Sequence, residues 1–133
     1  MYLLDTDIII YSLKGHAAVQ ENLRRHRNVS LCVSVISLME LYYGAYKSQR
    51  VESNLAKVKT IEKTLKAIQA GEEVVELFGM LKSKLEAKGQ PADDFDLVIA
   101  STALAHNLIL VTNNTRHFQK IEGLRLENWS QLE

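Results

Sequence analysis

The sequence predicts an α/β fold built on a short parallel sheet. Two observations carry the prediction. Short apolar runs that stop abruptly read as buried strands. Stretches with apolar residues three and four apart read as amphipathic helices, and they separate the strands, which favours parallel pairing.

Tyr2-Leu3-Leu4 is the first strand run, and it ends at Asp5. Val29 to Val35, rich in β-branched residues, is the second. Leu108-Ile109-Leu110-Val111-Thr112 is the third and clearest, and Leu124 to Leu126 adds a fourth near the C-terminus. Among the helices, Ser37 is expected to cap one in which Glu40 stands at capping-box spacing, with Leu41, Tyr42 and Ala45 continuing its face. Residues 51–69 place Val51, Leu55, Val58, Ile61, Leu65 and Ile68 on one face of a second helix. Val74, Leu77, Phe78, Leu81 and Leu85 repeat the pattern, and Gly89 follows where a helix stop is expected. Asp93 or Asp94 opens a last helix through Leu97, Val98, Ala100, Ser101 and Leu104.

Composition narrows the class further. The 133 residues suit one domain spanning 1–133, and one proline and six glycines leave no flexible linker. An apolar fraction of 47% with 24% charged residues is that of a folded domain and excludes disorder. No apolar run approaches the roughly 18 residues of a membrane span, and Asp5 and Asp7 interrupt any secretory signal. The single cysteine, Cys32, excludes an internal disulfide and a multi-cysteine zinc site. Its apolar surroundings make it a buried hydrophobe, consistent with a reducing cytoplasm. Sixteen basic and sixteen acidic residues give zero net charge, which at first argues against a generic nucleic-acid binder.

The acids are unevenly placed. All five aspartates fall into two groups, Asp5 and Asp7, then Asp93, Asp94 and Asp96, while the eleven glutamates are scattered. Helix capping accounts for Asp93 or Asp94. It accounts neither for Asp96, which precedes Leu97-Val98-Ile99, nor for Asp5, which closes an apolar strand. Parallel sheets gather ligands at the carboxyl ends of their strands, where Asp5 and Thr112 sit. Carboxylates converging there repel one another unless a cation lies between them. Oxygen-only ligands select Mg²⁺ or Mn²⁺ over zinc, and such an ion typically serves phosphate-ester hydrolysis. Glu40, flanked by Leu38, Met39 and Leu41, is an acid in apolar company and the remaining candidate.

Four segments then occur in order: Leu4-Asp5-Thr6-Asp7-Ile8, Ile36-Ser37-Leu38-Met39-Glu40-Leu41-Tyr42-Tyr43-Gly44, Asp94-Phe95-Asp96-Leu97-Val98-Ile99-Ala100, and Leu110-Val111-Thr112-Asn113-Asn114. With the tail from Thr115-Arg116-His117-Phe118 to Gly123-Leu124-Arg125-Leu126-Glu127-Asn128-Trp129, they resemble PIN-domain proteins of the VapC toxin type, over essentially the whole chain. The resemblance implies an α/β/α sandwich with a short central parallel sheet. It also implies a Mg²⁺-dependent endoribonuclease of a toxin–antitoxin pair, with tRNA as the candidate substrate. By position, Asp5, Glu40 and Asp96 match the family's catalytic acids, with Asp5 and Asp96 on the metal. Asp94 matches a supporting acidic position, and Thr6 and Thr112 match hydroxyl positions. The family's fourth acid falls on Asn114, which weakens the case for a second tightly held metal. Asp7 matches a polar position often filled by Asn or Ser. The resemblance further implies a homodimer and a VapB-like antitoxin received in a groove, for which the helices at 36–48 and 51–69, with Tyr42, Tyr43 and Tyr46, are the candidates.

The zero net charge is a sum of unlike regions. Residues 41–70 hold six basic side chains against two acids. Lys57, Lys59 and Lys63 there, with Arg116, are candidates for tracking RNA phosphates. His16, His26, His106 and His117 show no ligand spacing and read as structural or surface residues. Two rivals remain. A phosphatase of the haloacid dehalogenase type would use Asp5-Thr6-Asp7 as its Asp-x-Asp start, but Ile8-Ile9 follow where Gly and Thr are usual. A non-catalytic binding module would use the acids only to hold a structural ion.

Overall fold

The computed structural model describes residues 1–131, so the last two residues of the expected 1–133 domain lie outside the described residues. The first apolar run forms β1 (Tyr2–Leu4), and the next two residue groups form α1 (Thr6–Leu13) and α2 (Ala17–Arg25). Then come β2 (Leu31–Ser34), α3 (Val35–Tyr46), α4 (Val51–Thr64) and β3 (Lys66–Ile68). The second half holds α5 (Glu72–Ala87), α6 (Asp94–Ala105), β4 (Ile109–Val111), α7 (Thr115–Phe118) and β5 (Leu126–Glu127). Every pairing in the sheet is parallel, and the strand order is β3-β2-β1-β4-β5.

Two local expectations are corrected. Residues 51–69 are not one helix. At Leu65 the backbone turns extended (φ −99°, ψ 148°), and 66–68 pair with β2 as an edge strand. Leu65 and Ile68 are both buried as expected, but they belong to different cores, because the chain crosses the sheet edge between them. The cap of α3 is Ser34 rather than Ser37: Ile36 N–H donates to Ser34 Oγ at 3.1 Å. Ser37 lies inside the helix, fully buried, and its Oγ has no partner among the described residues. The α5 stop falls as expected, with Gly89 in the left-handed region (φ 68°) just past the helix end.

The layers follow from the two-residue period of a strand. Leu3, Cys32 and Leu110 face one way and pack with Leu81, Leu85, Leu97, Ala100 and Phe118 of α5, α6 and α7. Their neighbours Leu4, Val33 and Val111 face the other way and pack with Ile8, Val19, Leu41 and Val58 of α1 to α4. Strands apolar on both faces demand helices on both faces, which makes the sandwich. Leu3 and Leu110 are completely buried, each worth about 1.5–3 kcal/mol of apolar burial, so Leu110→Ala costs about 2–5 kcal/mol. Cys32 is buried and free.

This topology positions the site. From β1 the chain moves outward through β2 to β3, then returns to the other side of β1 for β4 and β5. The strand order therefore reverses between β1 and β4, where the helices leave the sheet in opposite directions and a crevice opens at the carboxyl ends. Leu4 pairs with Val111 there, so Asp5 and Thr112 emerge side by side.

Candidate active site

Asp5 directly follows β1 and caps α1. Its Oδ1 accepts from Thr6 N–H at 2.8 Å, and its Oδ2 accepts from the Thr112 hydroxyl at 2.8 Å. Asp5 is 5% exposed and Thr112 is wholly buried, so this contact between residues 107 apart in sequence is fixed by the β1–β4 pairing. The Thr112 hydroxyl also accepts from Asn114 N–H at 3.0 Å, which fully orients it. Thr6 then reaches across to α3, donating from Oγ1 to Glu40 Oε1 at 2.9 Å. Asp7, one residue on from Thr6, accepts from Asn113 N–H at 3.0 Å through Oδ2, while its buried Oδ1 has no partner among the described residues. Asn113 is further held by Ser130 and Tyr11, so Asp7 ties the loop after β4 to the start of α1.

The third acid comes from α6. Asp93 caps that helix, accepting from the N–H groups of Phe95 and Asp96, and leaves Asp96 half-buried in the first turn. His117 Nδ1 on α7 stands 3.5 Å from Asp96 Oδ2. Asp94, by contrast, is exposed and pairs with Lys82 of α5 at 3.0 Å, directing its charge toward α5. Asn114 contributes its backbone N–H, and its side chain is exposed. Of the basic candidates, Lys57 lines an apolar cavity of about 320 Å³ that has Glu40 on its wall, between α1, α3 and α4. Lys59 and Lys63 flank a separate groove beside Tyr42 and Glu62, and Arg116 is exposed on α7. Tyr43 and Tyr46 face solvent, while the half-buried Tyr42 donates to Glu62.

Electrostatics mark the crevice. Burial, then the charge of Asp7, lifts the Asp5 carboxyl from its ordinary 3.8 to about 7, although the Thr112 and Thr6 hydrogen bonds pull the other way. Desolvation first also raises Asp7, Glu40 and Asp96; the charge of Asp96 adds to Asp7 and Glu40, and that of Asp93 adds to Asp96. Four carboxyls held above their usual range by burial and mutual repulsion are a stored demand for positive charge. The donors are all oxygens, which suits a hard divalent cation, and the orphaned Asp7 Oδ1 is one acceptor still unused. Among the described residues no three acidic, His or Cys side chains form a ready-made metal-binding group. A cation on Asp5 and Asp96 therefore needs waters or substrate oxygens to complete its shell, as Mg²⁺ commonly does.

Sequence reasoning placed Asp5, Glu40, Asp96, Thr6 and Thr112 together, and the structure links them as Glu40–Thr6–Asp5–Thr112, with Asp96 sensed through its charge. It missed the Asp7–Asn113 tie and the His117 pairing. No spacing rule signals either, because both partners meet only through the sheet.

The sequence model of the PIN domain matches residues 2–124. The tRNA(fMet)-specific endonuclease VapC of Shigella flexneri is 38% identical over 130 residues, covering 97% of this chain and 98% of that protein. Ribonuclease VapC2 of Rickettsia felis is 38% identical over 133 residues, covering 98% of this chain and 99% of that protein. Among solved structures, VapBC2 of Rickettsia felis bound to a DNA fragment from its promoter superposes with a TM-score of 0.90 at 38% identity, over 96% of this chain and 98% of that one. VapBC-1 of nontypeable Haemophilus influenzae superposes with a TM-score of 0.89 at 30% identity, over 98% of both chains.

Proposed function

This chain belongs to the PIN-domain family, and on that premise we propose that it is the ribonuclease toxin of a toxin–antitoxin pair, cutting RNA at the Asp5–Glu40–Asp96 crevice. The observation that carries the reading is the group of carboxyls raised above their normal range at the β1–β4 switch point. Two relatives bear names that make them tRNA(fMet)-specific endonucleases, so initiator tRNA is the substrate to test first.

Asp5 and Asp96 would hold a divalent cation, with Mg²⁺ favoured and Mn²⁺ an acceptable substitute. When bound, it supplies charge for a phosphoryl oxygen and a more acidic water. Thr112 and Thr6 keep Asp5 aimed, so little reorganisation is needed as the reaction proceeds. Glu40, raised by desolvation, is suited to accept a proton from the water that attacks phosphorus in line as the bond to the leaving oxygen breaks. Asp94 and Asn114 act from the edge of the site, and Lys57, Lys59, Lys63 and Arg116 steer the polyanion.

The antitoxin, VapB-like in the complexes of similar chains, would lie in the apolar cavity between α1, α3 and α4, within reach of Glu40. Two copies of the toxin would pair within that complex. A toxin that cuts cellular RNA would work in the cytoplasm. Among the described residues no helix is long and apolar enough to cross a membrane. The phosphatase and structural-ion rivals predict other outcomes in one experiment. Purified protein is incubated with initiator tRNA and bulk tRNA, with Mg²⁺, with Mn²⁺ or with chelator, alongside Asp5→Asn. Metal-dependent cleavage lost in Asp5→Asn supports the proposal. A phosphoaspartate at Asp5, or RNA binding without cleavage under any metal, overturns it.

A further inference from the structure

We propose that the cavity beside Asp96, walled by His117 and Lys120, is a subsite for an RNA phosphodiester next to the one that is cut; this rests on the ribonuclease reading above. The cavity measures about 220 Å³ and is lined by Pro91, Ala92, Asp93, Asp96, His117 and Lys120. By liquid volume that holds about seven waters, enough for a phosphate group and flanking ribose atoms.

The local charge explains why such a subsite is needed. Asp93 and Asp96 both face this cavity, and a strand approaching Asp96 meets their repulsion. The first turn of α6 offers no relief, because the Asp93 carboxylate already occupies the N–H groups of Phe95 and Asp96. Cationic and donor capacity must come from side chains, and α7 and its following turn supply it. The His117 side chain is 64% exposed, and its Nδ1 is the atom turned to Asp96. Its other ring nitrogen has no hydrogen-bond partner among the described residues, and an imidazolium that donates to Asp96 through Nδ1 presents a second N–H there to a phosphate oxygen. Lys120 Nζ donates to the Pro91 carbonyl at 2.8 Å, which anchors the ammonium over the cavity and leaves two of its three N–H bonds for a ligand. An ammonium fixed by one neutral carbonyl beside an imidazole is the arrangement that receives a phosphate without first breaking a salt bridge. Lys120 also lowers the Asp96 pKa, so its charge already reaches the carboxylate end of the cavity.

The test measures binding separately from cutting. A labelled single-stranded oligoribonucleotide is titrated with Asp5→Asn protein, and with the same protein carrying Lys120→Ala, His117→Ala, both changes, or Lys66→Ala as a control on the opposite edge strand. Adding both changes should weaken binding about tenfold or more, and Lys120→Ala should reduce the slope of log affinity against log salt by about 0.7. Lys120→Arg should restore both, and Lys66→Ala should change neither. In otherwise wild-type protein, the pair should raise KM more than it lowers kcat. Unchanged affinity and slope in the double variant overturn the subsite. So does a fall in kcat alone, which would make His117 only an aiming group for Asp96. Should the wild type cut no RNA while the Lys120 dependence of binding persists, the ribonuclease reading fails and the phosphate subsite stands.

Discussion

Replacing Asp5 by Asn should change how stability depends on pH. Buried Asp5 titrates near 7 in the fold against an ordinary 3.8. Between those values the folded chain holds a proton that the unfolded chain has released, so stability falls as pH rises through the window. The contribution is fully present below about pH 4 and gone above about pH 7. At about 1.4 kcal/mol per decade, the loss across the window is about 4 kcal/mol, a ceiling because Asp7, Glu40 and Asp96 share the repulsion. An asparagine has the same shape and never ionises. Its carbonyl can keep the Thr6 N–H bond, and its amide can donate to Thr112 Oγ1. In chelator, urea unfolding from about pH 4 to about pH 8 should show the wild type losing several kcal/mol that Asp5→Asn retains. Saturating Mg²⁺ should return about 2.7 kcal/mol to the wild type at a hundred times its Kd, and much less to the variant. Parallel pH profiles for the two proteins in chelator would refute the claim that repulsion and burial at Asp5 store this energy.

Three further outcomes follow from the same geometry. Thr112→Val removes the donor to Asp5 Oδ2 and the acceptor for Asn114 N–H inside a buried site; it should cost about 1–3 kcal/mol by denaturant unfolding and lower the rate of RNA cleavage. Ser34→Ala removes the cap of the helix that carries Glu40 and should cost about 1 kcal/mol, whereas Ser37→Ala removes an unpartnered hydroxyl and should be neutral or stabilising. Replacing Lys57, Lys59 and Lys63 together by Ala should weaken RNA binding and flatten its salt dependence, and because Lys57 alone of these three borders the Glu40 cavity, Lys57→Ala should account for most of the loss in cleavage.

Much of the fold was legible because burial leaves a period in the sequence. Leu108 to Thr112 carries the uninterrupted apolar run of a strand buried on both faces, and its centre forms β4; Val74 to Leu85 carries the three-and-four spacing of a helix lying on a core, and it lies within α5. The α4–β3 boundary was not legible, because Leu65 and Ile68 keep helical spacing while the chain between them turns extended. Nor was the Ser34 cap, since Ser34 and Ser37 offer the same chemistry and only the end of β2 decides between them.

The sequence by itself determined where the acids stand along the chain: Asp5 after a strand, Asp96 in the first turn of a helix, Glu40 among apolar neighbours. These are local facts, set by residue type and period. What the tertiary structure decided is which of them meet. The reversal of strand order between β1 and β4 brings Thr112 onto Asp5, α3 folds back so that Glu40 meets Thr6, and α7 sets His117 against Asp96. Periodicity records that a side chain is buried but not against what. The burial that chiefly raises these carboxyls, and the charge that Asp96 adds to Asp5, Asp7 and Glu40, exist only once distant strands and helices share one crevice.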